Sequence, residues 1–244
     1  MNILISNDDG YKSGRLLMLK EILDRYGVVY VAAPFSERSG ASISLTIRKP
    51  VKYKIISDKV IAVKGNPADS VSVGLNYFKD IDFDLVITGI NYGLNTAKDT
   101  LYSGTVGASV IASFNNIKTI ALSSFYKDDP LLKEKSLYIL EYIFKNKLLD
   151  VCSFLNVNIP KGEAKGVKVA KIYKVPSNDY MIKVGSGFHQ ARDVSKEVFP
   201  NDSDIYLVKD GYYTITCFKP SLEDETLNKK LMEVIENVDW LLFP

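Results

Sequence analysis

The sequence predicts an α/β fold: a doubly wound, mostly parallel sheet with a strand-rich C-terminal extension. Two observations carry that expectation. A short apolar run, a helix-periodic segment and a second apolar run follow one another within the first 34 residues, the pattern of a parallel βαβ unit with a right-handed crossover. The same alternation then continues to about residue 124, as it does in doubly wound sheets.

The elements follow in order. "NILIS" (2–6) reads as a short buried strand. Leu16, Leu19, Leu23 and Tyr26, with Ile22 beside them, recur at helical spacing between Gly14 and Tyr26. "VVYVAAP" (28–34) is the second strand, stopped by Pro34. A polar loop (35–42) leads to "ISLTIRKPVKYKII" (43–56) and "VIAVKG" (60–65), a hairpin or edge pair. Asn66 followed by Pro67 gives a helix start, a capping side chain before an N1 proline, and Val71, Leu75 and Phe78 form that helix's apolar stripe. "LVITGI" (85–90) is a strong strand, followed by a loop rich in Asn, Gly and Thr (91–103). "GTVGASVIASF" (104–114) is a helix of small residues, and "TIALSS" (119–124) is a strand. A helix over about 131–146 precedes the extension, in which "FLNVNIP" (154–160), "VKVAKIYKV" (167–175) and "GYYTITCF" (211–218) are strands. Residues 177–204 form a polar loop or arm, and an amphipathic helix closes the chain from about Leu222 to Leu242. No repeat or linker interrupts the sequence, so 1–244 reads as one domain, a core of 1–124 with its extension in 125–244.

Composition sets outer limits. The 244 residues, 46% hydrophobic and 25% charged, suit a globular protein with a large core. Lys and Arg total 31 against 29 Asp and Glu, so charge gives no reason to expect a nucleic acid or an acidic membrane surface. Neither a signal peptide nor a transmembrane span is evident, and the expectation is a cytoplasmic protein. Cys152 and Cys217 fit no metal-ligand or redox spacing and read as a pair of buried thiols in a reducing compartment.

Ligands of an open parallel sheet bind beyond the carboxyl ends of its strands. The first strand ends in Asn7, Asp8 and Asp9, the second runs into the loop with Glu37, Arg38 and Ser39, and "LVITGI" ends in Asn91. Asp8 and Asp9, with the hydroxyl of Ser39 and the amide oxygen of Asn91, are hard oxygen donors suited to Mg²⁺, Mn²⁺ or Ca²⁺. A cation would relieve the repulsion between the adjacent carboxylates. The other reading is that they cap the following helix and line a solvated turn. Ser103, Gly104 and Thr105 stand where a helix begins, and such an end favours an anion, although Ser103 or Thr105 as an ordinary cap fits equally. A cation and an anion site on one rim would suggest a phosphoester substrate. The only histidine, His189 in "GSGFHQ", has no nucleophile elbow near it and reads as a surface residue.

At these residues the chain resembles the stationary-phase survival protein SurE family of metal-dependent nucleoside monophosphate phosphatases. The matching segments, in family order across about two thirds of the chain, are "ILISNDDG", "VVYVAAPFSERSGAS", "GNPADSV", "ITGINYGLN", "YSGTVGAS" and "LNVNIP". The resemblance implies a Rossmann-like core and one divalent metal, Mg²⁺ or Mn²⁺, on Asp8, Asp9, Ser39 and Asn91. It implies a phosphate held by Asn95 and the Ser103–Gly104–Thr105 turn. It also implies hydrolysis of nucleoside 5′- and 3′-monophosphates, with Asp8 and Asp9 the catalytic pair, and a C-terminal arm exchanged between subunits of a homodimer or homotetramer. The chain departs from the family's usual His at Ile43, Pro at Leu94 and Gly at Ala97. Two rival readings are a phosphatase of short polyphosphate and a non-catalytic nucleotide-binding module.

Overall fold

The computed structural model describes residues 1–125, 129–173, 179–192, 198–219, 228–230 and 232. Its main sheet runs β3-β4-β2-β1-β5-β6-β7-β11-β8. The strands are β1 (Asn2–Ser6), β2 (Val28–Pro34), β3 (Lys52–Ser57), β4 (Val60–Lys64), β5 (Leu85–Tyr92), β6 (Lys118–Ser124), β7 (Phe154–Ile159), β8 (Gly166–Val169) and β11 (Tyr212–Cys217). Neighbours from β4 through β7 are parallel, while β3 against β4 and β11 against β7 are antiparallel. The chain lays β2 and β4 on one side of β1 and then returns to place β5 on the other. The order therefore reverses between β1 and β5, where such sheets open a crevice at their carboxyl ends.

Helices cover both faces because the strands are apolar on both. Ile3 and Ile5 of β1 pack with Leu16 and Leu19 of α1 (Gly14–Leu23) and with Ile139, Leu140 and Ile143 of α5 (Leu132–Lys145). Leu4 points the other way, into a cluster with Val71 of α2 (Pro67–Tyr77) and Ala108, Ile111 and Ala112 of α4 (Gly104–Phe114). Each fully buried Leu or Ile contributes about 1.5–3 kcal/mol. Short helices α3 (Asp99–Tyr102), α6 (Leu148–Val151) and α7 (Asp204–Lys209) lie in the connections.

Of the arm expected over 177–204, residues 179–192 form a separate antiparallel hairpin of β9 (Asp179–Val184) and β10 (Gly187–Arg192), while Ser203 bridges to Lys171 and caps α7. Tyr180, Met181, Val184 and Phe188 on it are exposed. β8 ends at Val169, short of the expected 175, and the loop 91–103 contains α3. Most of the expected C-terminal helix lies outside the described residues; Asn228–Lys230 and Met232 within it are helical.

The expectation of two free thiols is corrected: Cys152 and Cys217 form a disulfide with their Cα atoms 5.9 Å apart. Their separation of 65 residues hid this, because β11 pairs with β7 and sets Cys217 opposite Leu155, three residues beyond Cys152. In the loop-entropy model a crosslink of that span contributes roughly 4 kcal/mol. Reduction is expected to lower the thermal midpoint while leaving turnover at 25 °C unchanged, since both cysteines lie away from the β1–β5 crevice. Comparing melting and activity with and without a thiol reductant checks this.

Candidate active site

The crevice is built from the end of β1. Asn7 closes the turn there, its amide nitrogen donating to the Gly10 carbonyl and its amide oxygen accepting the Gly10 N–H, both at 3.1 Å. Asp8 and Asp9 are thereby fixed at the strand end, and they do not cap α1: its N-cap is Ser13, with no side-chain cap bond. Asp8 is 4% exposed and lies at the start of α4 instead. The Thr105 hydroxyl donates to Asp8 Oδ1 at 2.7 Å, and the Thr105 N–H also donates to it. Gly104 permits this approach, because a Cβ there would meet the Asp8 side chain at 3.1–3.2 Å and Pro67 Cγ at 2.9 Å.

Asn91 reaches the same place from β5. The β5–β6 register shifts between Thr88 and Asn91, an irregularity of the kind that re-aims a side chain beside a site. The Asn91 amide nitrogen donates to the Gly93 carbonyl at 2.9 Å, which turns its oxygen toward Thr105, 3.5 Å from that hydroxyl.

Burial pushes the Asp8 carboxyl above its usual range, against the bonds from Thr105. Asp9 is pushed up to about 7, first by burial and then by the charges of Asp8 and Glu37; the Arg15 charge and the Tyr92 N–H oppose the rise. Asp9 Oδ2 is buried without a hydrogen-bond partner. An anionic oxygen left this way calls for a cation.

The other expected residues are placed less directly. Ser39 is exposed and donates to Glu37 Oε1 at 2.8 Å, a carboxylate whose charge acts on both aspartates, and its loop is tied to them by the Arg38 N–H on the Asp8 carbonyl at 2.7 Å. Asn95 is 3% exposed, and its amide nitrogen donates to Ser123 Oγ at 2.7 Å. Its backbone is held by Asn156 and Asn158. The Ser103 hydroxyl caps α4, accepting from Val106 N–H at 3.1 Å, and the Ser103 N–H donates to the Asp99 carbonyl at 3.0 Å. Three of the donors at the turn expected to bind an anion are therefore engaged within the protein. Among the described residues no three His, Cys, Asp or Glu side chains converge as a metal cage. Two carboxylates with neutral oxygens remain, a donor set for a hard cation.

Ala97 takes a left-handed backbone, φ 50°, fixed by its N–H on Asp204 Oδ2 at 2.8 Å. That conformation costs a residue with a Cβ roughly 1–2 kcal/mol. Ala97→Gly is expected to stabilise the fold by up to about 1 kcal/mol after glycine's own entropy is counted, checked by denaturant unfolding.

A cleft of about 610 Å³ opens beside the crevice, lined by Gly40, Tyr102, His189 and Gln190 among others. Lys98 and Asp179, each 12% exposed, pair at 2.7 Å and fasten the β9–β10 hairpin to the loop before α3. His189, read from sequence as a surface residue, is exposed and forms one wall of this cleft.

Fold and site together define a doubly wound α/β protein with an oxygen-rich, acidic pocket at its switch point. The model of the family described as survival protein SurE matches residues 3–180. A 5′-nucleotidase SurE of Petrotoga mobilis is 36% identical over 231 residues, covering 88% of this chain and 92% of its own. One of Thermosipho melanesiensis is 32% identical, covering 97% and 98%. The crystal structure of the SurE protein from Aquifex aeolicus superposes with a TM-score of 0.83 at 30% identity, covering 96% of this chain and all of its own. The chain belongs to the SurE family.

Proposed function

We propose that this chain is a metal-dependent phosphatase that hydrolyses nucleoside 5′-monophosphates, and 3′-monophosphates, to nucleoside and phosphate. The observation that carries the reading is the buried, unpartnered Asp9 Oδ2 beside buried Asp8 at the switch point, in a chain whose relatives bear the name 5′-nucleotidase. Asp8, Asp9, Ser39 and Asn91 would hold one divalent cation, Mg²⁺ or Mn²⁺. When bound, such an ion polarises a phosphoryl oxygen and acidifies a water. Ser39 joins the set by turning its exposed hydroxyl from Glu37. A ligating aspartate, Asp8 or Asp9, is the group placed to take the water's proton. Asn95 and the Ser103–Gly104–Thr105 turn face the phosphate in this reading. The nucleoside takes the cleft between Tyr102 and β10. Its size fits a small-molecule site, and a tyrosine ring there can stack on a base.

The chain works as a single domain in the cytoplasm and assembles as a homodimer or homotetramer through its arm. The exposed apolar side chains of the β9–β10 hairpin support that assembly. No helix among the described residues is long and apolar enough to cross a membrane.

Phosphate release from 5′- and 3′-monophosphates and from tripolyphosphate, with Mg²⁺, Mn²⁺ or EDTA, tests the function. The expected result is metal-dependent release from nucleotides. Folded protein that releases none under any condition contradicts it, and release confined to tripolyphosphate moves the reading to a polyphosphatase.

The raised Asp9 carboxyl sets a pH dependence. Between about pH 4 and 7 the folded metal-free protein keeps a proton that the unfolded chain has lost. The Asp9 contribution to stability therefore falls as pH rises through that window and levels off above it. The melting midpoint of metal-free wild type should drop between pH 5 and 8 more than that of Asp9→Asn; equal slopes would refute the shift.

A further inference from the structure

Arg15 is the second residue of α1, 3% exposed, and no role has yet been assigned to it. A cation at a helix N-terminus opposes the helix dipole, and a buried guanidinium needs partners for its donors. It finds them across the crevice. Nη1 donates to the Asn91 carbonyl and to Ser124 Oγ, both at 2.8 Å, and Nη2 donates to the Phe125 carbonyl at 3.0 Å. The guanidinium carbon lies 3.7 Å from the centre of the Tyr92 ring.

One of these contacts falls on a peptide unit that also reaches Asp9, and the stacking falls on the next side chain. The carbonyl of the Asn91–Tyr92 peptide accepts from Arg15, and the N–H of the same peptide donates to the Asp9 carboxylate. A hydrogen bond at one end of a peptide polarises and orients the group at the other. The Asn91 side chain leaves the backbone at that same unit. We propose that Arg15 is a positioning residue: by clamping the Asn91–Tyr92 peptide it holds both the Asn91 amide oxygen and Asp9 in the arrangement that receives the cation. This rests on the reading that Asp8, Asp9 and Asn91 bind a divalent metal.

The planar fork does the clamping, and the charge alone does not. A lysine ammonium cannot reproduce three donations in one plane together with stacking on a ring. A pure charge role predicts the reverse for a neutral variant, because removing a cation beside a cation site should tighten metal binding.

The test is Mn²⁺ binding by calorimetry to the metal-free full chain. Wild type and Asp9→Asn come first: if wild type binds no Mn²⁺, or Asp9→Asn binds it equally, the metal reading itself has failed and Arg15 is not at issue. Given binding that needs Asp9, both Arg15→Lys and Arg15→Met are expected to weaken Mn²⁺ by 10–100-fold, the usual effect of losing a group that orients a ligand. With Mn²⁺ saturating, most of the kcat should return. Lys135→Met serves as a control. It removes another buried cation, one bonded to Asp129 and Pro160 in a different part of the fold, and it should leave Mn²⁺ affinity unchanged even where it lowers the melting midpoint. Affinity of Arg15→Lys within threefold of wild type overturns the proposal, as does tighter binding by Arg15→Met. So does a loss in Lys135→Met equal to that of the Arg15 variants. If Arg15→Met does not fold, Arg15→Lys decides alone.

Discussion

Asp9→Asn and Asp8→Asn should each lower kcat/KM for a nucleoside monophosphate by on the order of 10³-fold or more, with the fold kept. Each change removes a carboxylate charge from the proposed ligand set, and lost electrostatic stabilisation at a reacting group has effects of that order. The fold should survive because both carboxyls are disfavoured where they stand. Burial raises Asp8 and Asp9 alike, and Asp9 has an oxygen with no partner. A neutral amide of the same size relieves that desolvation, so the melting midpoint of metal-free Asp9→Asn is expected to equal or exceed the wild-type value at pH 8. Steady-state kinetics beside circular dichroism checks both halves. Activity within tenfold of wild type in both variants would contradict the assignment.

Gly89→Ala should strongly destabilise the strand that carries Asn91. Gly89 has φ 132°, and a Cβ there would lie 2.2 Å from the Leu122 carbonyl oxygen. That atom is backbone of the neighbouring strand and cannot swing aside. Overpacking of this kind, with an unfavourable backbone conformation added, costs about 3 kcal/mol or more. For a chain of this size that is a fall in the melting midpoint of roughly 6–12 °C. Asn91 stands two residues on, across the register shift between β5 and β6, so Mn²⁺ affinity should drop as well. A melting midpoint within 2 °C of wild type would show that the strands part more easily than their geometry implies.

Much of this was written locally. β1, β2 and β5 are apolar runs ended by polar or proline residues, and their three carboxyl ends supplied Asp8, the Ser39 loop and Asn91. The start of α2 at Asn66 and Pro67 was equally legible, because a cap and an N1 proline act within one turn. What sequence reasoning missed depends on partners distant in the chain. Thr105 turns onto Asp8 from 97 residues away, so the turn that looked free for an anion is partly engaged by the protein's own carboxylate. Asn95, named for a phosphate by the resemblance alone, has its amide nitrogen on Ser123, a partner 28 residues away. Ser39 had the right loop but bonds to Glu37, and nothing in "FSERSG" distinguishes those orientations. The disulfide required the β7–β11 register. Arg15 did leave a signal: a basic residue in the first turn of α1 has the wrong sign for the helix end, which points to acids or carbonyls nearby. Ala97 left one too, as a residue in place of the family's glycine, and the backbone there is left-handed.

Asp8 and Asp9 at the β1 end are proposed to hold a divalent cation with Asn91 and Ser39. Diffraction from crystals of the metal-free protein soaked in Mn²⁺, recorded at the manganese absorption edge, tests it most directly. One strong anomalous peak is expected within coordination distance of the Asp8 and Asp9 carboxylates and the Asn91 amide oxygen, with the Ser39 hydroxyl turned from Glu37 toward it. Crystals in which that crevice shows no peak, or in which manganese collects only elsewhere, would contradict it.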